Sequence, residues 1–235
     1  MMPRTRLAAV FVAIFLFSLI AMMPLRFVVA WLLPTSISLN ARAVTGSVWR
    51  GRFAGLGFGE AVLGDFDAAF MPSALLRGGL ALRLSGVSDP ASRATLVATF
   101  AGVGADDVTL QLGDGTAFAP LPIETVDIRE ASIRLAGNRC VSALGQVRVN
   151  IAANTLGIRL DQGLVGMLRC EGGALAANLV SQSAMERVVL RVSPGKGYLA
   201  TIIIKPDTPE QIAKLSAIGF RESGQGFVMQ LSGPF

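Results

Sequence analysis

With 235 residues, 52% hydrophobic and only 16% charged, the chain is long enough for one large β domain or two small ones and is more apolar than most soluble domains. Its net charge of +5 comes from basic residues dispersed singly along the sequence, which argues against nucleic-acid binding, where they cluster with aromatic side chains. The chain has no histidine, which removes Ser-His-Asp and Cys-His catalysis and the commonest zinc ligand, so we expect no enzymatic activity, no catalytic or metal site and no cofactor.

The amino-terminal residues are predicted to anchor the chain in a membrane. Arg4 and Arg6 precede an apolar run over residues 7–25, and roughly 20 apolar residues span a bilayer as a helix. A cleavable signal peptide is the alternative, but its apolar core is normally shorter than this run. The predicted anchor residues are Leu7, Phe11, Ile14, Phe15, Leu16, Phe17, Leu19 and Ile20.

This interpretation divides the chain in two. Basic residues ahead of an anchor hold the amino terminus in the cytoplasm. Residues 1–34 are therefore expected to form a cytoplasmic tail and a signal-anchor helix, and residues 35–235 one domain on the far side. We expect a single-pass membrane protein with the lipid bilayer as a partner. If the protein is bacterial, this membrane is the bacterial inner membrane and the carboxy-terminal domain lies in the periplasm.

From residue 36 onward, apolar and polar residues alternate in short segments bounded by glycine, which is the pattern of half-buried strands. Val62 and Phe100 fall on the apolar side of this alternation, and Ile158 and Leu160 mark a further strand. Short strands at this spacing predict an all-β antiparallel meander. The sheet has to bury its apolar face against itself. A closed sandwich and a curled sheet with an apolar groove both achieve this, and the pattern does not choose between them.

A compact block follows the first predicted strand and consists of Gly46, Ser47, Val48, Trp49, Arg50 and Gly51. Tryptophan and arginine often anchor interfaces, whereas the flanking glycines permit a tight turn. We interpret the block first as a structural corner whose Trp49 ring fills the apolar face of the sheet. A contact site is the second interpretation.

Two pairs of carboxylates invite a catalytic interpretation. Asp65 and Asp67 lie on the outward side of a predicted strand, and Asp106 and Asp107 are expected beside a turn. General acid-base chemistry needs a cleft that shifts one pKa. We therefore interpret both pairs as solvated surface.

Cys140 and Cys170 are the only cysteines in the chain. Their even number and the oxidising periplasm predict one disulfide. The alternative is a pair of buried free thiols that act as small hydrophobic side chains.

One segment near the carboxy terminus has helical periodicity instead. Its expected start has an N-cap, a first-turn proline and a capping-box glutamine, and its apolar stripe ends at Gly219. A short helix lying on the sheet is therefore predicted from Thr208, Pro209, Gln211, Ile212, Leu215 and Ile218.

Taken together, these features resemble the protein N family of bacterial type II secretion systems. In that family a Gly-Thr/Ser-aliphatic-Trp-x-Gly block follows the anchor, and here it corresponds to Gly46–Gly51. The segment that begins at Pro72 is similar to the family's Pro-x-x-Leu-Leu-x-Gly segment. The tail that begins at Lys205 is similar to the family's closing helix, glycine turn and last strand. Residues 92–173 show only generic strands.

The resemblance implies an accessory inner-membrane component of the machine that moves folded proteins from periplasm to exterior. Such a component has no enzymatic activity and acts through protein-protein contact with other secretion components. The resemblance does not indicate which of them is the partner. The same block is also similar to membrane-anchored periplasmic β proteins of the AsmA type, which implies lipid binding or handling instead. A lipid conduit usually needs a longer β array than about 200 residues supply, at about 3.3 Å per residue, so the secretion role is favoured.

Overall fold

The described residues of the computed structural model are 10–12, 14–15, 18–19, 22–32, 39–58, 61–113, 123–151 and 163–233. They contain one antiparallel sheet of 14 strands whose spatial order follows the chain, except that β14 lies between β12 and β13. The predicted all-β meander is confirmed. The strands are β1 Leu39–Gly46, β2 Gly51–Phe58, β3 Ala61–Phe70, β4 Gly79–Gly86, β5 Arg93–Thr99, β6 Gly102–Gly113, β7 Ile123–Ala136, β8 Arg139–Ile151, β9 Leu164–Glu171, β10 Ala174–Ser181, β11 Glu186–Ser193, β12 Gly197–Ile204, β13 Arg221–Ser223 and β14 Gly226–Gly233.

Helical structure is short in the described part of the chain. Helix α1 covers Leu25–Leu32, a 3-10 helix covers Pro72–Arg77, and helix α2 covers Pro209–Ala217. The described residues between positions 10 and 19 are also helical. Across the described ranges, no helix has both the length and the apolarity required to cross a bilayer. Four predicted anchor residues lie outside these ranges, namely Leu7, Leu16, Phe17 and Ile20.

The core is one continuous cluster on a single face of the sheet, from β2 to β10. Its members face each other across neighbouring strands, as Phe53 does with Phe66 and Ile128 with Val147. A flat sheet would leave this face in water, whereas many of these side chains are almost fully buried. The sheet therefore curls over its own apolar face, which is one of the two shapes that the sequence allowed.

Two apolar positions lie outside this core, contrary to the sequence pattern. Val62 is exposed and Leu63 packs against the core instead, because the pairing register between β2 and β3 shifts near Gly64, and a one-residue slip exchanges the two faces. Phe100 is fully exposed in the turn between β5 and β6. The strand predicted from Ile158 and Leu160 lies outside the described residues.

Helix α2 begins as predicted but buries a narrower face. The Thr208 hydroxyl accepts a hydrogen bond from the Gln211 N–H at 3.3 Å, while the Gln211 side chain accepts from the Asp207 N–H rather than from that of Thr208. Of the predicted stripe, only Leu215 is buried, whereas Ile212 and Ile218 are exposed. The Leu215 side chain packs into a second cluster, formed with Ile204, Phe220 and Phe227.

The second acidic pair lies in the middle of β6 rather than beside a turn. The pairing register shifts between β5 and β6 and between β6 and β7 around these residues, and Asp107 has a φ of 48°. The Asp106 carboxylate accepts hydrogen bonds from the Ser132 hydroxyl at 2.6 Å and from Arg134 at 2.5 Å. Asp107 pairs with Arg93 at 3.0 Å. These carboxylates therefore tie a bulged strand to its neighbours.

The first acidic pair lies on the exposed outer face, as expected. Asp67 pairs with Arg52 at 2.8 Å, and Asp65 accepts a hydrogen bond from the Gly55 N–H at 2.7 Å. Gly55 has a positive φ of 59°. The Asp65 carboxylate therefore holds an irregular stretch of β2 against β3.

We predict that Asp106 stabilises the fold at neutral pH and not in strong acid. The hydrogen bond from Arg134 is the main cause that lowers the pKa of its carboxyl; burial opposes it, and the hydrogen bond from Ser132 and the charge of Arg134 lower the pKa further. A depressed pKa contributes stability above the unfolded value of about 3.9, and that stability is lost as the pH falls through the folded pKa. Since both partners are partly exposed, we expect Asp106→Asn to cost about 0.5–1 kcal/mol at pH 7.

The measurement is urea unfolding of wild type and Asp106→Asn at pH 7 and at pH 3. The stability difference between the two proteins should shrink at the lower pH. An equal difference at both values would contradict this role for the ion pair.

The disulfide between Cys140 and Cys170 is present, as predicted, with Cα atoms 5.5 Å apart. Backbone pairing between β8 and β9 covers residues 146–149 and 164–167. Near the start of β8, the disulfide joins Cys140 to Cys170 of β9, and the Cys140 N–H donates a 2.7 Å hydrogen bond to the carbonyl of Gly173 in the turn between β9 and β10. The disulfide therefore bridges the sheet beyond the point where the β8–β9 ladder ends.

We predict that replacing both cysteines by serine destabilises the protein by about 3–4 kcal/mol, the chain-entropy value for a loop of 30 residues. Urea unfolding of the full chain in mild detergent measures the loss. Wild-type protein should also resist thiol labelling until a reductant is added. Complete labelling without reductant would show that the bond does not form.

Candidate functional site

The Gly46–Gly51 block forms the connection between β1 and β2, and both glycines are required by its geometry. Gly46 has a φ of +84°, and a Cβ there would lie 2.5 Å from the Arg50 carbonyl oxygen. A Cβ at Gly51 would lie 2.3 Å from the Leu25 side chain. The first glycine therefore allows the turn, and the second allows α1 to approach the sheet closely.

This connection holds the amino-terminal segment against the sheet. The Val48 N–H donates to the Met23 carbonyl at 3.0 Å, and Pro24 forms an antiparallel bridge with Ser47. Immediately afterwards Leu25 is fully buried in the main core, and Val29 packs against the same core one helical turn later. Helix α1 thus covers the β1 end of the apolar face.

Val48 also holds the connection against β3. The Val48 carbonyl accepts a hydrogen bond from the Phe70 N–H at 3.0 Å. The Val48 side chain is buried in a small cluster with Phe70, Leu80 and Ala98. Both backbone groups of Val48 are therefore satisfied, one by the amino-terminal segment and one by β3.

The expectation that the Trp49 ring fills the apolar face is wrong. Val48 takes that buried position, and the next residue points the other way, leaving Trp49 39% exposed. Its ring meets the Phe70 ring edge to face, with centroids 5.8 Å apart. The block is a structural corner as predicted, but the residue that fills it is Val48.

Around Trp49 the surface forms a shallow depression. It is bordered by Arg50, Arg52, Asp67 and Arg83, and a hydrogen bond from Arg52 to Asp67 raises the pKa of the Arg52 guanidinium. An exposed aromatic ring among arginines is suited to contact rather than to chemistry. In the described part of the chain, no group of three or more acidic, histidine or cysteine side chains could hold a metal ion.

Sequence reasoning placed all six residues of the block in one site but missed the residues they hold. The sequence pattern includes Leu25 in the apolar run of the predicted anchor and gives no indication that Phe70 contacts the block. The available signal was Pro24, which interrupts the apolar run and permits a new element to start there. Hydrogen bonds to distant segments leave no comparable pattern in the sequence.

We predict that Trp49→Ala lowers stability by only about 0.5–1.5 kcal/mol, the range for one aromatic pair, because the ring is partly exposed. Phe53→Ala is the matched control, since Phe53 is buried in the main core and truncation of a buried phenylalanine costs about 3–5 kcal/mol. Thermal and urea unfolding measure both. Equal losses of stability in the two variants would show that the Trp49 ring is buried in the core, contrary to this prediction.

A family model described as type II secretion system (T2SS), protein N, matches residues 38–229, which is most of the chain. The match starts just before β1, includes the connection that carries Trp49 and helix α2, and ends within β14. Comparisons with curated proteins and with solved structures found no match.

Proposed function

Because the chain belongs to the protein N family of type II secretion systems, we propose that it is a non-enzymatic inner-membrane component of that machine. It assists the export of folded proteins from periplasm to exterior by contact with other secretion components. The observation that carries this proposal is the family match, which covers the sheet from the start of β1 to a point within β14.

The proposed attachment to the membrane keeps the order that the sequence predicts but places the boundary earlier than residue 34. The cytoplasmic tail and the anchor precede Pro24, and α1 belongs to the periplasmic domain together with residues 35–235, because Leu25 and Val29 pack against the core of the sheet. The exposed large apolar side chains among the described anchor residues support this arrangement, since they gain stability in lipid and not in water. They are Phe11, Ile14, Phe15 and Leu19.

In this proposal the connection between β1 and β2 fixes the position of the sheet relative to the anchor. Met23 and Pro24 are bonded to Val48 and Ser47, and Leu25 is buried in the core. The sheet is therefore not tethered through a free linker at this point. A partner that binds the outer face near Trp49 would meet it at a set distance from the bilayer.

A second function, the binding or handling of lipid, is favoured by one observation. On β6 and β7 the side chains of Leu110, Leu112 and Ile128 are only half-buried, although they pack against the main core. An apolar face of this kind that water can reach could accept an acyl chain. This function competes with the secretion role and predicts different consequences when the protein is removed.

Deletion of the protein in its own bacterium separates the two functions. We expect export of type II substrates, or the levels of other secretion components, to fall and to recover with the plasmid-borne wild type. The permeability of the outer membrane should stay normal. Normal export with a permeable outer membrane, and phospholipid that copurifies with the protein, would contradict the secretion role and favour lipid handling.

A further inference from the structure

We propose that one end of the sheet inserts into the membrane interface through four exposed apolar side chains, here called the apolar tips: Trp49, Leu75, Leu76 and Phe100. The proposal rests on the membrane attachment in the proposed function and adds a second contact with the bilayer. This contact is made by the β domain itself, beside the point where the amino-terminal segment enters.

The fold brings the apolar tips to the same end of the sheet. Strands β1, β3 and β5 run in the same direction, because each alternates with an antiparallel neighbour. Their following connections, which carry Trp49, the two leucines and Phe100, therefore lie side by side. Connections two strands apart are separated by about 10 Å, twice the strand spacing. The contact between Trp49 and Phe70 places the first tip against the end of β3.

The exposure of these side chains is not explained by the fold. Leu76 is 91% exposed in the 3-10 helix, and Phe100 is fully exposed at the tip of a two-residue turn. Turns between strands are most often built from glycine, proline, asparagine, aspartate and serine, so the two consecutive apolar residues Phe100 and Ala101 are unusual at this position. Single exposed apolar residues are common on proteins, but several on one edge mark an interaction surface.

The charge of this end fits a bilayer. The three connections contain Arg50 and Arg77 and no acidic residue. The described connections at the opposite end contain the acidic residues Asp89, Asp207 and Glu210 and the basic residues Lys205 and Lys214, so three negative and two positive charges leave them with a formal charge of −1. Apolar side chains flanked by arginine are typical of surfaces that enter the headgroup region of membranes containing anionic lipid.

Continuity with the amino-terminal segment identifies the occupant as lipid. The Met22 N–H donates to the Ser18 carbonyl, which continues helical structure toward the apolar run. Met22 is itself strongly exposed, and its neighbour Met23 is bonded to Val48 in the same connection as Trp49. The apolar run therefore reaches the sheet at the end where the apolar tips lie.

The experiment measures the lipid contact of individual positions in the full chain. An environment-sensitive fluorophore is attached to Leu76→Cys, Phe100→Cys and, as the matched control, Val87→Cys. Val87 is an exposed apolar residue between β4 and β5 at the opposite end. Because Cys140 and Cys170 are bonded to each other, only the introduced thiol reacts.

Each labelled protein is reconstituted in vesicles of phosphatidylethanolamine and phosphatidylglycerol whose acyl chains carry bromine at a defined depth. We expect severalfold stronger quenching at positions 76 and 100 than at 87. Bromine close to the headgroup should quench more than bromine at the chain end, since interfacial side chains enter only about 5–10 Å. The unfolding midpoint of each labelled protein should match that of the wild type.

Equal, weak quenching at all three positions would overturn the proposal. The same holds if positions 76 and 100 are unquenched in vesicles but shielded from a soluble quencher in native membranes, because a partner protein would then cover them. Washing the vesicles with alkaline carbonate tests the anchor separately. Retention without quenching refutes the tips alone, whereas quenching with release upon washing supports the tips and refutes the anchor.

Discussion

The arrangement of the molecule depends on the two backbone hydrogen bonds of Val48. Its N–H binds the carbonyl of Met23, and its carbonyl binds the N–H of Phe70. Through them, the segment before α1 and the end of β3 are held by a connection of only four residues. Gly51 makes this possible because a side chain there would occupy the space of Leu25. Because the amino-terminal segment is held in this way, the position of the sheet is fixed relative to the segment that ends at Met23.

Apart from the hydrogen bonds of Val48 to Met23 and Phe70, here called the joint, the sheet is stabilised wherever its regular ladder of backbone hydrogen bonds is interrupted. The bulge in β6 is held by the ion pairs of Asp106 and Asp107, and the gap where the β8–β9 ladder ends is closed by the disulfide. At the far edge, Leu215 of α2 covers the apolar side chains of β12 and β14. The described residues form one sheet, without a second sheet to support such defects, so side chains and a covalent bond supply the support locally.

Alternation of apolar and polar residues was sufficient to predict the meander, and the even cysteine count was sufficient to predict the disulfide. The capping residues Thr208 and Pro209 predicted the start of α2. The same alternation failed at Val62 and Trp49, since one register shift or one turn reverses which face a side chain occupies. It also missed the burial of Leu25, because that depends on a bridge between residues more than 20 positions apart. Local patterns predicted the elements, but long-range contacts determine the site.

The most direct test of the joint is hydrogen exchange at the amides of Val48 and Phe70 in the full chain. Gly51→Ala should force Leu25 out of its position, whereas Gly224→Ala is the matched control because a Cβ there meets no neighbouring atom. The account predicts protected amides in wild type and Gly224→Ala, and faster exchange at both amides in Gly51→Ala. Unchanged protection in Gly51→Ala, or an unprotected Val48 amide in wild type, would contradict the claim that this connection holds the amino-terminal segment on the sheet.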